Sequence, residues 1–257
     1  MRIMTTNIWG DYFNNPVSLR LEDLLRVYEV YRPDVIGFQE CTASWWESGL
    51  FSRLADDYQI LGEGLFPDGN YVPLAVGKQY EVVSFGGELY EETPDPSKGF
   101  TWAVLRGPEE KVFGVCNTHF WWKGGEEHDR IRGCNARQLS YRMKVIQKEY
   151  SCPVFVFGDL NCWPDNLAFA AFKEQGVKEL FHLAEVRDDR CTLHGNPVLD
   201  ATGHFRGALR EGDHKRAIDH ILSLGEGFSV PALRVVEDSF ALDASDHSPV
   251  YADIILH

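Results

Sequence analysis

Short apolar runs that end in polar residues recur along this chain, and their spacing predicts its elements. Arg2–Trp9 opens with a strand. Leu21, Leu24, Leu25 and Tyr28 repeat at helical spacing within Leu19–Tyr31, and Val35–Phe38 is a short buried strand ending at Gln39-Glu40. A second passage follows the same order. Val112–Asn117 ends at Thr118-His119, a helix runs near Asn135–Tyr150, and Val154–Phe157 ends at Gly158-Asp159-Leu160-Asn161. Further strand-like runs lie at Tyr71–Val76, Glu81–Phe85, Thr101–Leu105, Ile218–Leu222, Ala232–Val236 and Pro249–Leu256. Many strands, few helices and two similar halves predict an α+β fold of two packed sheets with helices outside. No Pro/Ser-rich or low-complexity linker divides the chain, so residues 1–257 read as one domain.

The polar residues fall in a pattern of their own. Asn7, Glu40, His119, Asp159 and Asn161 sit at or near the ends of apolar strands, Asp219-His220 interrupt Ala217–Leu222, and Asp246-His247 precede the last strand. Polar groups gathered where strands end form a site on rigid supports. Asn7, Glu40, Asp159, Asn161, Asp219 and Asp246 offer hard oxygen donors, which suit Mg2+ or Mn2+. His119 and His247 add proton donors or phosphate-binding groups. Phosphoester hydrolysis needs an activated water, a Lewis acid and help for the leaving group, and this set can supply them.

Composition narrows the reading. Lys and Arg number 25 against 39 Asp and Glu, a formal net charge of -14. A field of that sign repels polyanions and argues against strong nucleic-acid binding. It leaves room for a small phosphorylated substrate, because a bound divalent cation inverts the local sign. The six cysteines contain no Cys-x-x-Cys pair, so buried free thiols are expected rather than a zinc ribbon. No run approaches the ~18 apolar residues of a membrane span. Without a leader-like apolar stretch after Met1, the expected setting is cytoplasmic.

Six motifs in order carry a resemblance. Met4-Thr5-Thr6-Asn7-Ile8-Trp9, Ile36-Gly37-Phe38-Gln39-Glu40, Asn117-Thr118-His119-Phe120, Gly158-Asp159-Leu160-Asn161, Ile218-Asp219-His220-Ile221 and Ser245-Asp246-His247-Ser248-Pro249-Val250 together resemble the signature of the endonuclease/exonuclease/phosphatase superfamily. Glu92-Thr93-Pro94, Lys98-Gly99, Trp102-Ala103 and Asn135-Ala136-Arg137-Gln138 are similar to segments of a bacterial branch of metal-dependent hydrolases. That branch often carries Asp-His after Asn-Thr-His-Phe, where this chain has Trp121-Trp122, and the segment Asn196–Lys215 looks enlarged.

The resemblance implies a DNase-I-like, four-layer αββα sandwich and a divalent-metal-dependent phosphoesterase. It implies that Glu40 binds the metal with support from Asn7, and that Asp246 binds metal or orients a histidine. Asp159 would deprotonate the attacking water and Asn161 would contact the phosphate. His119 and His247 would hydrogen-bond phosphoryl oxygens, with Asp219 holding His119 in its productive tautomer. Arg137 is a candidate phosphate clamp, and Trp121 and Trp122 are candidate walls of a substrate pocket.

Taken singly, Asn7 reads as a strand-end cap, His119 as a core histidine and Asp159–Asn161 as an Asx-turn; the six together favour catalysis. A small phosphomonoester or phosphodiester is the expected substrate. A repair nuclease would want basic surfaces, a lipid-directed phosphodiesterase an exposed apolar loop, and a non-catalytic binding module a broken constellation.

Overall fold

The computed structural model describes residues 1–12, 15–67 and 69–257. The first half runs β1 (Arg2–Asn7), α1 (Leu21–Tyr31), β2 (Val35–Gln39), α2 (Ala43–Glu47), α3 (Leu50–Leu54), β3 (Tyr58–Leu61) and β4 (Leu74–Gly77). Next come β5 (Glu81–Leu89), β6 (Gly99–Arg106), β7 (Val112–His119), α4 (Glu126–Tyr150), β8 (Val154–Asp159) and α5 (Leu167–Glu174). The remainder is β9 (Lys178–Glu179), α6 (Leu180–Leu183), β10 (Val186–Arg187), β11 (Val198–Leu199), β12 (Phe205–Arg206), β13 (Asp219–Leu224), β14 (Phe228–Val235), α7 (Ser239–Ala244) and β15 (Val250–Leu256). One large sheet has the order β10-β14-β15-β1-β2-β4-β3 and the other β5-β6-β7-β8-β13-β9, with β11-β12 a separate two-stranded ribbon. Both are mixed. Each centres on a parallel pair joined by a helix, β1-α1-β2 in one and β7-α4-β8 in the other.

Residue alternation explains the layering. In β1 and β2, Ile3 and Val35 face the apolar layer between the sheets, where they meet Phe113, Val115, Phe155 and Phe157. Their neighbours Met4 and Ile36 point the other way, against Leu24, Tyr28 and Trp45. In β8, Phe155 and Phe157 point inward while Val154 and Val156 pack under Leu139, Met143 and Phe172 of α4 and α5. A strand buried on both faces must be apolar at both parities, as β2 and β8 are up to their last residues and β1 is at Ile3 and Met4. The result is the expected αββα stack of an α+β protein.

The differences from the sequence reading have local causes. Helix α4 begins at Glu126, nine residues before Asn135. Its first turns are too polar to show periodicity, and Glu126, Glu127 and Asp129 favour a helix N-terminus through the dipole. Strand β1 stops at Asn7 because Trp9 turns to a left-handed φ of 53°. Strand β5 continues past Phe85 to Leu89, paired along β6. All six cysteines are free, five of them buried. No helix among the described residues is long and apolar enough to cross a membrane.

Candidate active site

The inward-facing stripe of each central strand changes character at one edge of the sandwich. In β1 it runs Ile3, Thr5, Asn7; in β7, Phe113, Val115, Asn117, His119; in β8, Phe155, Phe157, Asp159. Register brings the ends together: Asn7 lies beside Gln39, and His119 and Asp219 both lie beside Asp159. A buried polar layer separates core from edge. Thr5 Oγ1 donates to Gln39 Oε1 at 3.1 Å, and Gln39 Nε2 donates to Asn117 Oδ1 at 2.6 Å. Asn117 in turn donates to the carbonyls of Phe38 and Pro73, which joins the two sheets under the site.

Above this layer, Asn7 Nδ2 donates to Glu40 Oε1 at 3.1 Å and to Asp159 Oδ2 at 3.0 Å. Glu40 Oε2 accepts from Gly10 N at 2.8 Å, and Asp159 Oδ1 accepts from Asn161 N at 2.8 Å. His119 Nε2 is 3.4 Å and His247 Nε2 3.9 Å from Asp159 Oδ2. His247 Nε2 is also 4.0 Å from Asp246 Oδ1. Glu40 and Asn161 hold left-handed φ values of 59° and 49°, the kind of strain that surrounding structure sustains at functional sites. Gly158 is required here: a Cβ on it would stand 2.0 Å from Thr118 O, where β7 and β8 approach.

The profile of the family described as Endonuclease/Exonuclease/phosphatase matches residues 4–247. The chain belongs to this family. With membership comes the activity class, divalent-metal-dependent hydrolysis of phosphate esters. Solved structures agree on the fold. An endonuclease/exonuclease/phosphatase from Bacteroides vulgatus superposes with a TM-score of 0.80 at 23% identity, covering 100% of this chain and 98% of that one. The mannosyl-6-phosphatase Bt3783 of Bacteroides thetaiotaomicron gives 0.75 at 18% identity, covering 100% of both chains. The human nocturnin catalytic domain with bound sulfate gives 0.72 at 18%, covering 100% and 94%. No curated protein matches the chain.

In this Endonuclease/Exonuclease/phosphatase member, the two histidines are held in opposite states. Burial, then the neighbouring Lys98 ammonium and His247, push His119 well below its usual pKa, so it is neutral. Burial also opposes charge on His247, but Asp219, Asp246 and Asp159 together outweigh it and raise its pKa well above the usual value. Asp159 is raised by burial and by Asp219, with His247 opposing. Burial likewise raises Asp246. Three polar atoms, His119 Nε2, Asp219 Oδ1 and Asp246 Oδ1, are buried with no hydrogen-bond partner among the described residues. Unpaired groups of this kind suit a ligand. Glu40, His119 and Asp159 bring ligand atoms within 4.8 Å of one another, and their carboxylate oxygens suit a hard divalent cation.

Several expectations are corrected. Asp219 does not hold His119: its Oδ2 accepts from His247 Nδ1 at 2.8 Å. His119 is oriented instead by Lys98, whose ammonium donates to Nδ1 at 3.0 Å and so places the ring proton on Nε2. Asn7 offers the cluster its amide N–H rather than an oxygen, because its Oδ1 accepts from Trp9 N. Arg137 lies on the exposed face of α4, with Glu174 at 3.9 Å, and is not gathered with the site. Trp121 and Trp122 form a tilted pair at 6.0 Å, with Trp122 exposed, directly after His119-Phe120.

Two residues next to the site carried no site role in the sequence, where His194 reads as a loop residue. Lys98 sat in a recognised segment, but only the β6–β7 pairing brings it to His119. His194 bonds Ser248 Oγ through Nε2 and accepts from Arg210 N, so the segment Thr192–His194 is laced to Asp246–Ser248.

Proposed function

We propose that this chain hydrolyses the phosphomonoester or phosphodiester of a small metabolite, using Mg2+ or Mn2+. The observation that carries the reading is the cluster of Glu40, His119 and Asp159, with His247 between Asp159 and Asp246 beside it and buried atoms of His119, Asp219 and Asp246 lacking protein partners. Glu40 and Asp246 would hold the ion, with Asn7 orienting Glu40. When bound, it supplies Lewis-acid stabilisation of the phosphoryl oxygens. Asp159, raised by burial and by Asp219 and held in place by Asn7 and Asn161, takes the proton of the attacking water. His119 presents Nε2–H and His247 an imidazolium N–H to phosphoryl oxygens that gain charge in the transition state. Asn161 keeps a second amide hydrogen for the same purpose, its first donating to Phe120 O.

Charge supports a small substrate. Two arginines beside the site segments are buried and engaged with backbone: Arg20 donates to the carbonyls of Ile8, Trp9 and Ala244, and Arg132 to those of Trp121 and Lys123. Neither is free for a polynucleotide backbone. Lys123 lies over the Trp121 and Trp122 rings, just after His119-Phe120 in the chain, and would offer one charge and an aromatic face to a small organic phosphate. The name of the Bacteroides mannosyl-6-phosphatase neighbour is in line with such a substrate. Six free thiols support a reducing, cytoplasmic setting.

The test is a metal-supplemented screen of sugar phosphates, nucleotides, cyclic nucleotides and phosphodiesters alongside duplex DNA and RNA. Turnover of a small ester above any polynucleotide is expected. Robust cleavage of DNA or RNA at physiological salt, with no small ester turned over, would replace this reading with a nuclease.

A further inference from the structure

A second cluster of metal-ligating side chains lies on the other face of the strand that carries Asp219. Strand alternation turns Asp219 inward to His247 and His220 outward, toward Phe169. There, Glu179 of β9 and His214 meet His220, their ligand atoms all within 4.8 Å of one another. Glu179 Oε1 contacts His214 Nε2 and is 3.1 Å from His220 Nδ1, while its other oxygen is 3.5 Å from His182 Nε2.

The hydrogen bonds of His220 assign its tautomer. Its Nε2 is 3.0 Å from Ala217 O and 3.2 Å from Cys162 O, and carbonyls only accept. Nε2 therefore carries the ring proton, and in the neutral ring the Nδ1 lone pair faces a carboxylate oxygen. Two acceptors in contact need a cation between them. One proton on His220 would settle that contact, since neutral His214 and His182 can each donate an Nε2–H, but it leaves three ring donors crowded on a single carboxylate. A single metal ion satisfies all of them, since each imidazole then offers a lone pair.

We propose that Glu179, His214 and His220, with His182 as an outer ligand, form a zinc-type metal site separate from the catalytic one. Nitrogen-rich donors select a borderline ion such as Zn2+ over Mg2+. In a tetrahedral zinc site with bonds of ~2.0–2.1 Å, neighbouring ligand atoms stand about 3.3 Å apart. The 3.1 Å to His220 and 3.5 Å to His182 bracket that value, whereas the Glu179–His214 contact is shorter and must open to admit the ion. Carbonyls fixing the remote N–H of a ligand histidine are the usual outer support of such sites, and His220 has two. His214 is held flat on Phe181, ring centroids 3.6 Å apart. The cluster borders a cavity of ≈ 10 Å³, room for about one water-sized sphere. Arg190 also borders it but is turned onto Glu237 at 3.3 Å. Entry is open on the side of His182, which is mostly exposed. The ion would tie the segment before β13 to β9 and α6, behind the strand that positions Asp219.

The experiment uses the dialysed full chain in excess Mg2+, titrated with Zn2+ against a chromophoric chelator, with native mass spectrometry for stoichiometry and thermal melting as a second readout. One tight zinc equivalent and a zinc-dependent rise in melting temperature are expected. Both should be lost in Glu179→Gln and His214→Ala, with affinity lowered at least about 100-fold, the upper range for losing even a supporting residue. His182→Ala, at an exposed position, should weaken zinc less, and Glu40→Gln should leave this equivalent bound. Absence of tight zinc in the wild type would overturn the proposal and leave a metal-free ion-pair cluster. Zinc retained by folded His214→Ala, or lost in Glu40→Gln, would place the ion elsewhere and overturn it equally.

Discussion

Lys98 and His119 show how one contact sets the chemistry of a residue. A cation at Nδ1 forbids a proton there, so the neutral His119 ring keeps its hydrogen on Nε2, which points at Asp159. Lys98→Met should therefore lower kcat by about 10- to 100-fold, with a smaller effect on KM, as the loss of an orienting partner does at such sites. An unchanged kcat in steady-state assays would remove Lys98 from that role. Asp159 makes a different argument. Its carboxylate is raised first by burial and then by the neighbouring Asp219, so it contributes little to folding. Asp159→Asn should cost at least ~100-fold in turnover while leaving the melting temperature equal or higher. A clearly lower melting temperature would show that the side chain holds the fold instead.

The elements that bear these residues are tuned at their ends. Gly158 lets β7 and β8 close to the distance that sets His119 beside Asp159. Gly158→Ala must move Thr118 O or twist β8, which overpacking data put at about 1–3 kcal/mol. Chemical denaturation should show that loss, and turnover should fall with it. Arg20 works at the end of β1. It is fully buried, stacks between Trp9 and Trp45, and bonds the carbonyls of Ile8, Trp9 and Ala244. It thereby locks the turn after Asn7 to the residue preceding Ser245-Asp246. Arg20→Met keeps the volume but leaves those carbonyls unpaired, at about 1–3 kcal/mol for each one left dry. Wild-type stability in the same denaturation series would mean the turn re-pairs by itself.

At the scale of the molecule, charge and metal act together. A net charge of -14 surrounds a site for phosphate, so affinity for substrate depends on local cations. Excess chelator should abolish turnover in well-dialysed protein, and Mg2+ or Mn2+ should restore it better than Zn2+. Full activity in chelator would contradict the oxygen-donor site. Duplex DNA should bind more weakly than the ~10⁻⁶–10⁻⁴ M of ordinary non-specific binders at physiological salt, as read by fluorescence anisotropy.

Much of this was legible in one dimension. Strand ends are local, so the parity of Ile3, Thr5 and Asn7, or of Phe155, Phe157 and Asp159, already says which polar side chains point off the edge of a core. The paired order of β1-α1-β2 and β7-α4-β8 similarly foretold two sheets with outer helices. What the sequence could not contain was the pairing of side chains across the sheets. Whether Asp219 serves His119 or His247 depends on an approach of 2.8 Å between residues 28 apart in the chain, and no periodicity encodes it. Lys98 reaches His119 only through the β6–β7 register, Arg137 turns to solvent because of the phase of a long helix, and Glu179 meets His214 and His220 only when β9 pairs with β13. Alternation and burial follow from each residue and its neighbours; hydrogen-bond partners, tautomers and metal ligands follow from tertiary distance, and there the folded structure decided.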